Sequence, residues 1–395
     1  MTTERLYYRD AYLTTFSAKV LDVDGTRVRT DRSAFYPTSG GQQFDTGILG
    51  GVRVVDVVDV VDDGDSVVHV MASAPAIAPG TEISGTVDWP RRFDHMQQHT
   101  GQHLLSALFE DLCKAPTLSV HFGSESCTLD VDAESLSHAA AVRVEERANA
   151  IVAENRAVVV SFEDAATAAA LRKPSDRTGE LRIVSIEGID RSACGGTHVR
   201  ATGEIGAVMV RKMEKYKKQT RIEFLCGGRA TRQARADYDA LISLAATLTA
   251  GISDLPKLVA TQAESVRSLE SERKKLSESL ASYRAGELYQ AAAPDSNGVR
   301  RVVVQASSAE ELRPLAYAVT ALAKVAFIGS CDSPATVMYA ASDGSGIDAG
   351  AVLKPLLTEH GGRGGGNQKI AQGTVPNKAA LEVVVRTLQT PPTPA

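Results

Sequence analysis

His99 and His103, in the stretch HTGQH, stand four residues apart. On a helix that spacing sets two imidazoles side by side, within reach of one cation. Zinc proteases that use this pattern place a glutamate directly after the first histidine to take the proton from metal-bound water, and here Thr100 stands in its place. Peptide hydrolysis is therefore disfavoured. A metal on this helix would bind and orient a substrate, or polarise a more reactive bond such as an ester. Taken alone, the spacing also fits two polar histidines bordering a core.

The stretch CGGTH repeats the interval with Cys194 and His198, and the intervening Gly195 and Gly196 allow a tight turn that aims both side chains inward. Three imidazoles and a thiolate form a ligand set that suits zinc. A third stretch, FYPTSGGQQFDTG over 35–47, offers Gly40 and Gly41 in a turn whose backbone N–H groups can approach a ligand, with Gln42 beside them as hydrogen-bonding partner. The same letters also describe a glycine turn in a β-barrel.

The elements that must position these residues follow from pattern. Up to about Trp89 the runs SAKVLDV, VRVVDVVDVV and TEISGTVDW, punctuated by Gly, Asp and Pro, predict a small sheet or barrel. Residues 94–112 predict a helix, with Leu104, Leu108 and Leu112 on one stripe and His95, His99 and His103 beside it. Strand-like runs (SCTLDVD, AVVVSF, LRIVSI, GAVMVRKM, RIEFL) then alternate with helical ones up to Leu225, as in an α+β domain. Beyond Gly227 and Gly228 the texture becomes helical, interrupted at 251–256, where Asp254 and Pro256 make a helix start. Val266, Leu269, Leu276, Leu280 and Tyr283 follow 3-4 spacing with Arg273 breaking the seam, so a helical hairpin or short coiled coil is expected as a spacer. After AAAPDSNG, the strands RVVVQ, VAFIG and ATVMYAAS, a glycine loop HGGRGGGNQKIAQG and a final helix predict a small α/β domain. The expected class is α+β, with a β-barrel over 1–90, a metal-bearing domain over 91–228, a helical spacer over 229–290 and an α/β domain over 291–395.

Composition sets outer bounds. A chain of 395 residues exceeds the size at which single cores stop growing. A net charge of -5 argues against a generally basic nucleic-acid binder, while leaving room for local basic strips. Five widely spaced cysteines fit a reducing compartment. The charged start MTTERLYYRDAYLTTF lacks the apolar core of a signal peptide, and no long apolar run occurs, so a cytoplasmic protein without membrane insertion is expected.

The Gly-Gly-Gln stretch with its aspartate, DWPRRFDHMQQHTGQHLLSALF, and CGGTHV followed by TGEIG together resemble the editing domain of alanyl-tRNA synthetases and their free-standing relatives, the alanyl-tRNA editing proteins. The motifs fall in the family's order, and the resemblance covers most of the chain, continuing into a C-terminal domain of the DHHA1 type carried by the long form. It implies a zinc ion at His99, His103, Cys194 and His198, and Gln42 lining the catalytic pocket; Gly40, Gly41 and Thr100 are expected beside it as substrate-pocket residues. It also implies hydrolysis of the ester of tRNA(Ala) charged with serine or glycine. Such an editing step has a physical rationale, since a pocket built for alanine rejects near-isosteres by only about 1–3 kcal/mol and a second hydrolytic sieve is needed.

Recognition of a seryl hydroxyl needs a polar pocket group, and Ser119, ahead of Thr117, is the candidate. His95, outside the HTxxH motif, is placed behind the site or on the surface. Phosphate contacts need cations. RKMEKYKKQTR gathers Arg211, Lys212, Lys215, Lys217, Lys218 and Arg221 around Tyr216; Arg91 and Arg92 precede the histidine helix; Arg363 and Lys369, near Gln372, flank the glycine loop. A homodimer through the spacer or the C-terminal domain is a further expectation. Because the chain begins at the β-rich region, with no ATP-binding aminoacylation domain ahead of it, the expected enzyme removes amino acids and never attaches them. The competing readings are a tRNA-binding module with a degenerate site, and a phosphodiesterase related through the C-terminal domain type. Asp94-His95-Met96 does not supply the Asp-His-His cluster of the latter.

Overall fold

A computed structural model describes residues 2–60, 65–166, 168, 171–173 and 178–390. It divides the chain into two compact units, Met1–Ala246 and Thr247–Ala395.

The first unit opens with β1 (Glu4–Arg5), which pairs in parallel with β4 (Arg32–Ser33). Six further strands, β2 (Thr15–Asp24), β3 (Arg27–Thr30), β5 (Gly47–Leu49), β6 (Val52–Val60), β7 (Ser66–Met71) and β8 (Glu82–Val87), form a closed barrel in the order β2-β3-β7-β6-β5-β8. Val61, the last residue of the run expected as a strand here, lies outside the described residues. Period-two burial is plain in β2, where Phe16, Ala18 and Val20 face inward and Thr15, Ser17 and Lys19 outward. In β6 the buried valines are Val54 and Val57, three apart rather than two, because the register shifts between Val54 and Asp56.

Helix α1 (Trp89–Cys113) begins with Pro90 in its first turn and stops at Lys114, whose φ of 53° is left-handed. It extends five residues ahead of the expected start at 94, since proline is well tolerated in a first turn. Met96, Leu104, Leu105, Leu108 and Phe109 bury its apolar side, whereas Leu112, predicted to continue that stripe, is exposed. Gly101 lets the helix seat directly on the sheet: a Cβ there would lie 2.2 Å from Cys226 Sγ. That sheet consists of β9 (Thr117–Phe122), β10 (Cys127–Val131), β14 (Val208–Tyr216) and β15 (Gln219–Cys226), in the order β14-β15-β10-β9. α2 (His138–Glu154) and a second sheet of β11 (Val158–Asp164), β12 (Glu180–Ile186) and β13 (Asp190–Ala193) share its core. Helix α3 (Gly227–Thr247) follows.

In the second unit α4 (Leu255–Ala291) runs for 37 residues and buries only Leu255, Ala281 and Ala285. The predicted apolar stripe, Val266, Leu269, Leu276, Leu280 and Tyr283, is exposed along its whole length. A five-stranded mixed sheet follows: β16 (Arg300–Gln305), β17 (Val325–Asp332), β18 (Ala335–Ala341), β19 (Arg363–Gly366) and β20 (Ile370–Thr374), in the order β16-β17-β18-β20-β19. Helix α5 (Ala309–Thr320) and the end of α4 pack on one face, and α6 (Ala349–Glu359) and α7 (Lys378–Gln389) on the other. The sequence HGGRGGGNQKIAQG, predicted to be a glycine loop, is instead an edge hairpin. Its glycines permit close strand approach: a Cβ on Gly364 would lie 2.4 Å from Gln372 O, and one on Gly366 2.2 Å from Ile370 O.

No helix among the described residues is long and apolar enough to cross a membrane. All five cysteines are free thiols.

Candidate metal centre

Two segments of the first unit meet at one point. α1 presents His99 and His103 on adjacent turns, with ring centroids 5.3 Å apart. The turn after β13 carries Cys194 and His198 against them. Cys194 Sγ lies 3.4 Å from His99 Nε2 and 3.3 Å from His198 Nε2, and the His198 ring lies 4.4 Å from that of His99 and 4.8 Å from that of His103. The donor atoms of the four residues all fall within 4.8 Å of one another, so the group could hold a metal ion.

Each imidazole is held from behind through Nδ1. His103 Nδ1 lies 2.8 Å from Asp190 Oδ2, His99 Nδ1 lies 2.8 Å from Gln42 Oε1, and His198 Nδ1 lies 3.1 Å from Thr100 Oγ1. Two of these contacts fix a tautomer. The Asp190 carboxylate only accepts, and so does Gln42 Oε1, which also takes the Thr197 N–H at 3.1 Å. Nδ1 of His103 and of His99 must therefore carry the hydrogen, leaving Nε2 to face the cluster. Partners of this kind orient metal-binding histidines and raise their basicity.

Glycine is required at only one position of the CGGTH turn. A Cβ on Gly196 would fall 2.2 Å from His99 Cε1 and 3.0 Å from Gln42 Oε1, whereas one on Gly195 would meet nothing closer than Tyr8 Oη at 3.5 Å. The Gly196 N–H also points at Cys194 Sγ, 3.4 Å away.

The electrostatics favour a thiolate. Burial alone would raise the Cys194 thiol, but His99, His198 and His103 hold it well below its usual range. Burial likewise opposes charge on His103, yet the Asp190 and Cys194 contacts outweigh it and bring it up to about 9. Burial, reinforced by His99, pushes His198 down to about 3.

Several residues expected at the site are engaged in other ways. Gln42 is buried with both ends of its amide occupied, since Nε2 donates to Thr197 Oγ1 at 2.8 Å and Oε1 lies against His99 Nδ1. Thr100 is fully buried, and its hydroxyl serves His198 and the Val199 N–H. Ser119 is exposed on the outer face of its sheet and donates to Asp130 Oδ2 at 2.7 Å, because strand parity turns Val120 and Phe122 inward in its place. Thr117 donates to Ser106 Oγ. Arg92 is fully buried: it bonds Asp45 and the carbonyls of Ala11 and Ala34, so it ties the Gly-Gly-Gln loop to the helix and is closed to RNA. Arg91, half-buried, clamps the same loop through Phe44 O at 3.0 Å. Gly40 and Gly41 sit at the exposed turn with φ of 57° and 84°, and Gly41 lies against the Phe122 ring.

On the β14–β15 hairpin Arg211 pairs with Asp237, and Lys212 with Glu214, while Lys215, Lys217 and Lys218 are exposed with no ion pair among the described residues. In the second unit Arg363 is exposed on the edge strand, and Lys369 pairs with Asp343. The residues that sequence reasoning missed are Asp190 and Thr197. Asp190 lies four residues ahead of Cys194, a signal too common to single out.

Residues 181–223, which include Cys194 and His198, match the family model described as the threonyl and alanyl tRNA synthetase second additional domain. Residues 8–91 match that of the class II (A) tRNA synthetases. The alanyl-tRNA editing protein AlaX-L of Pyrococcus horikoshii is 30% identical over 390 residues, an alignment spanning 95% of each chain. This chain belongs to the alanyl-tRNA editing protein family. An alanine-tRNA ligase of Halorubrum lacusprofundi is 33% identical over 397 residues, which cover 96% of this chain and 43% of the ligase. This member of the editing family thus spans less than half the length of that relative. The editing protein Aarsd1-B of Xenopus laevis is 32% identical over 254 residues, 63% of this chain and 60% of its own.

Proposed function

We propose that the chain is a trans-acting aminoacyl-tRNA deacylase that hydrolyses the ester of tRNA(Ala) charged with serine or glycine. The observation that carries this reading is the convergence of His99, His103, His198 and Cys194, with an Nδ1 partner behind every ring. Relatives named as alanyl-tRNA editing proteins support it.

The donor set fits zinc(II): three nitrogen ligands oriented through Nε2 and a thiol already biased toward its anion. Bound there, zinc would supply an electrophile and an anchor for the aminoacyl end of the tRNA. The residues around it do the rest. Asp190 is committed to His103, Arg172 and Ser192, and Gln42 cannot exchange a proton, so none of these groups acts as a general base. That arrangement suits an activated ester and disfavours an amide.

The exposed Lys215, Lys217 and Lys218 are the best candidates for phosphate contacts in the first unit, and Arg363 with Lys369 in the second. The exposed stripe of α4 is the surface through which two copies would pair. Cytoplasmic placement is part of the same reading, since the tRNA substrate is found there.

Replacing Cys194 by alanine tests the assignment. Bound zinc and deacylation of Ser-tRNA(Ala) should fall together; a variant that keeps its metal and loses activity contradicts the ligand set.

A further inference from the structure

His95 sits one turn ahead of His99 on α1 and is 7% exposed. Its Nδ1 is shut off from solvent and has no hydrogen-bond partner among the described residues. A buried polar atom left unmet is costly, and such exceptions in native proteins call for an explanation. The ring borders a narrow niche whose other walls include Gln42, Gln43, Gln98, Arg229 and Phe122. The niche adjoins the metal centre, because Gln42 holds His99 and the Phe122 ring lies 4.9 Å from that of His99.

The polar neighbours on these walls are already engaged. Gln98 is latched to the backbone of Cys226 by two hydrogen bonds, at 3.0 and 2.9 Å. Arg229 is held by Asp94 and by Gly123 O, and Gln42 by Thr197 and His99. Among the described polar groups of these walls, His95 Nδ1 is the buried atom left without a partner. The niche is closed to a water molecule in this structure. Gln43, one of its walls, is held only by contacts of 3.4 Å to Phe122 O and 3.5 Å from Arg91, which are long for hydrogen bonds, so its side chain is the one whose turning would make room for a small polar group.

We propose that His95 Nδ1 binds an O–H group of the deacylation reaction in the niche between Gln42 and Phe122. The proposal rests on the deacylase reading above. That O–H has two possible sources, the side-chain hydroxyl of a seryl substrate and the attacking water, and both are recognised by the same chemistry.

The test compares His95→Leu and His95→Gln with the parent protein in single-turnover deacylation of Ser-tRNA(Ala) and Gly-tRNA(Ala), with bound zinc measured on each. The leucine variant should lose about tenfold or more in rate while keeping its zinc, and glutamine, which can still hydrogen-bond, should recover part of the loss. A loss confined to the seryl substrate identifies the side-chain hydroxyl; equal losses on both identify the water. Parent-like rates on both substrates overturn the proposal, as does loss of zinc in step with activity, since His95 would then only support the helix. Failure of the deacylase reading is distinct, because it would show as inactivity of the parent protein itself.

Discussion

Asp190 Oδ2 takes the His103 Nδ1 hydrogen at 2.8 Å, while its other oxygen is held by Arg172 Nε at 2.6 Å. This is the one anionic partner behind the three imidazoles; Gln42 and Thr100 are neutral. Asp190→Asn keeps the shape and removes the charge, and should weaken metal affinity about 10- to 100-fold in a chelator competition while circular dichroism stays unchanged. Unaltered affinity would refute the view that the carboxylate tunes the site.

The CGGTH turn makes two glycines unequal. Gly196→Ala pushes a methyl into His99 and should abolish metal binding, whereas Gly195→Ala places its methyl at ordinary contact distance from Tyr8 and should retain it. Metal analysis of the two purified variants decides the point. Equal behaviour would mean that the turn is not packed against His99.

Arg92 and Asp45 form a fully buried ion pair that joins the Gly-Gly-Gln loop to α1. Removing the arginine leaves a carboxylate without its counter-charge, and Arg92→Met should cost about 3–5 kcal/mol in urea unfolding. The double variant with Asp45→Leu should cost less than the sum of the single changes. A stable Arg92→Met protein with weakened tRNA binding would restore the RNA role expected from the sequence.

His69 is sealed inside the barrel, with Nδ1 donating to Val28 O at 3.1 Å and Nε2 accepting from Ser33 Oγ at 2.7 Å. Burial pushes its pKa from 6.5 down to about 4. Between these values the unfolded chain binds a proton that the folded protein refuses, so stability is full above pH 6.5 and falls as the pH drops toward 4, with no further loss below. The contribution amounts to about 3 kcal/mol across the window. In His69→Gln the slope of unfolding free energy against pH should decrease by up to one proton within it; an unchanged slope excludes His69 as the source.

The grouping of His99, His103, Cys194 and His198 was readable from the sequence because its spacing is local: four-residue intervals on a helix and in a glycine turn bring each pair of side chains together whatever the rest of the chain does. The barrel strands and the final α/β sheet were readable for a similar reason, since apolar periodicity reports burial directly. What the letters did not carry was facing. Arg92 differs from Arg91 by one helical step, which rotates it from the loop surface into the core, and Ser119 differs from Val120 by one strand position, which turns it away from the site. Asp190 approaches His103 from 87 residues away, and no pattern along the chain links the two. The edge hairpin at 363–374 was read as a loop because glycines that allow strands to crowd together look the same in sequence as glycines that allow a turn.

The proposed deacylase should release wrongly attached amino acids from tRNA(Ala) and spare the correct one. Incubating the zinc-loaded protein with Ser-tRNA(Ala), Gly-tRNA(Ala) and Ala-tRNA(Ala) decides this. Release of serine or glycine well ahead of alanine is the predicted result. Hydrolysis of all three at one rate, or of none, would contradict it.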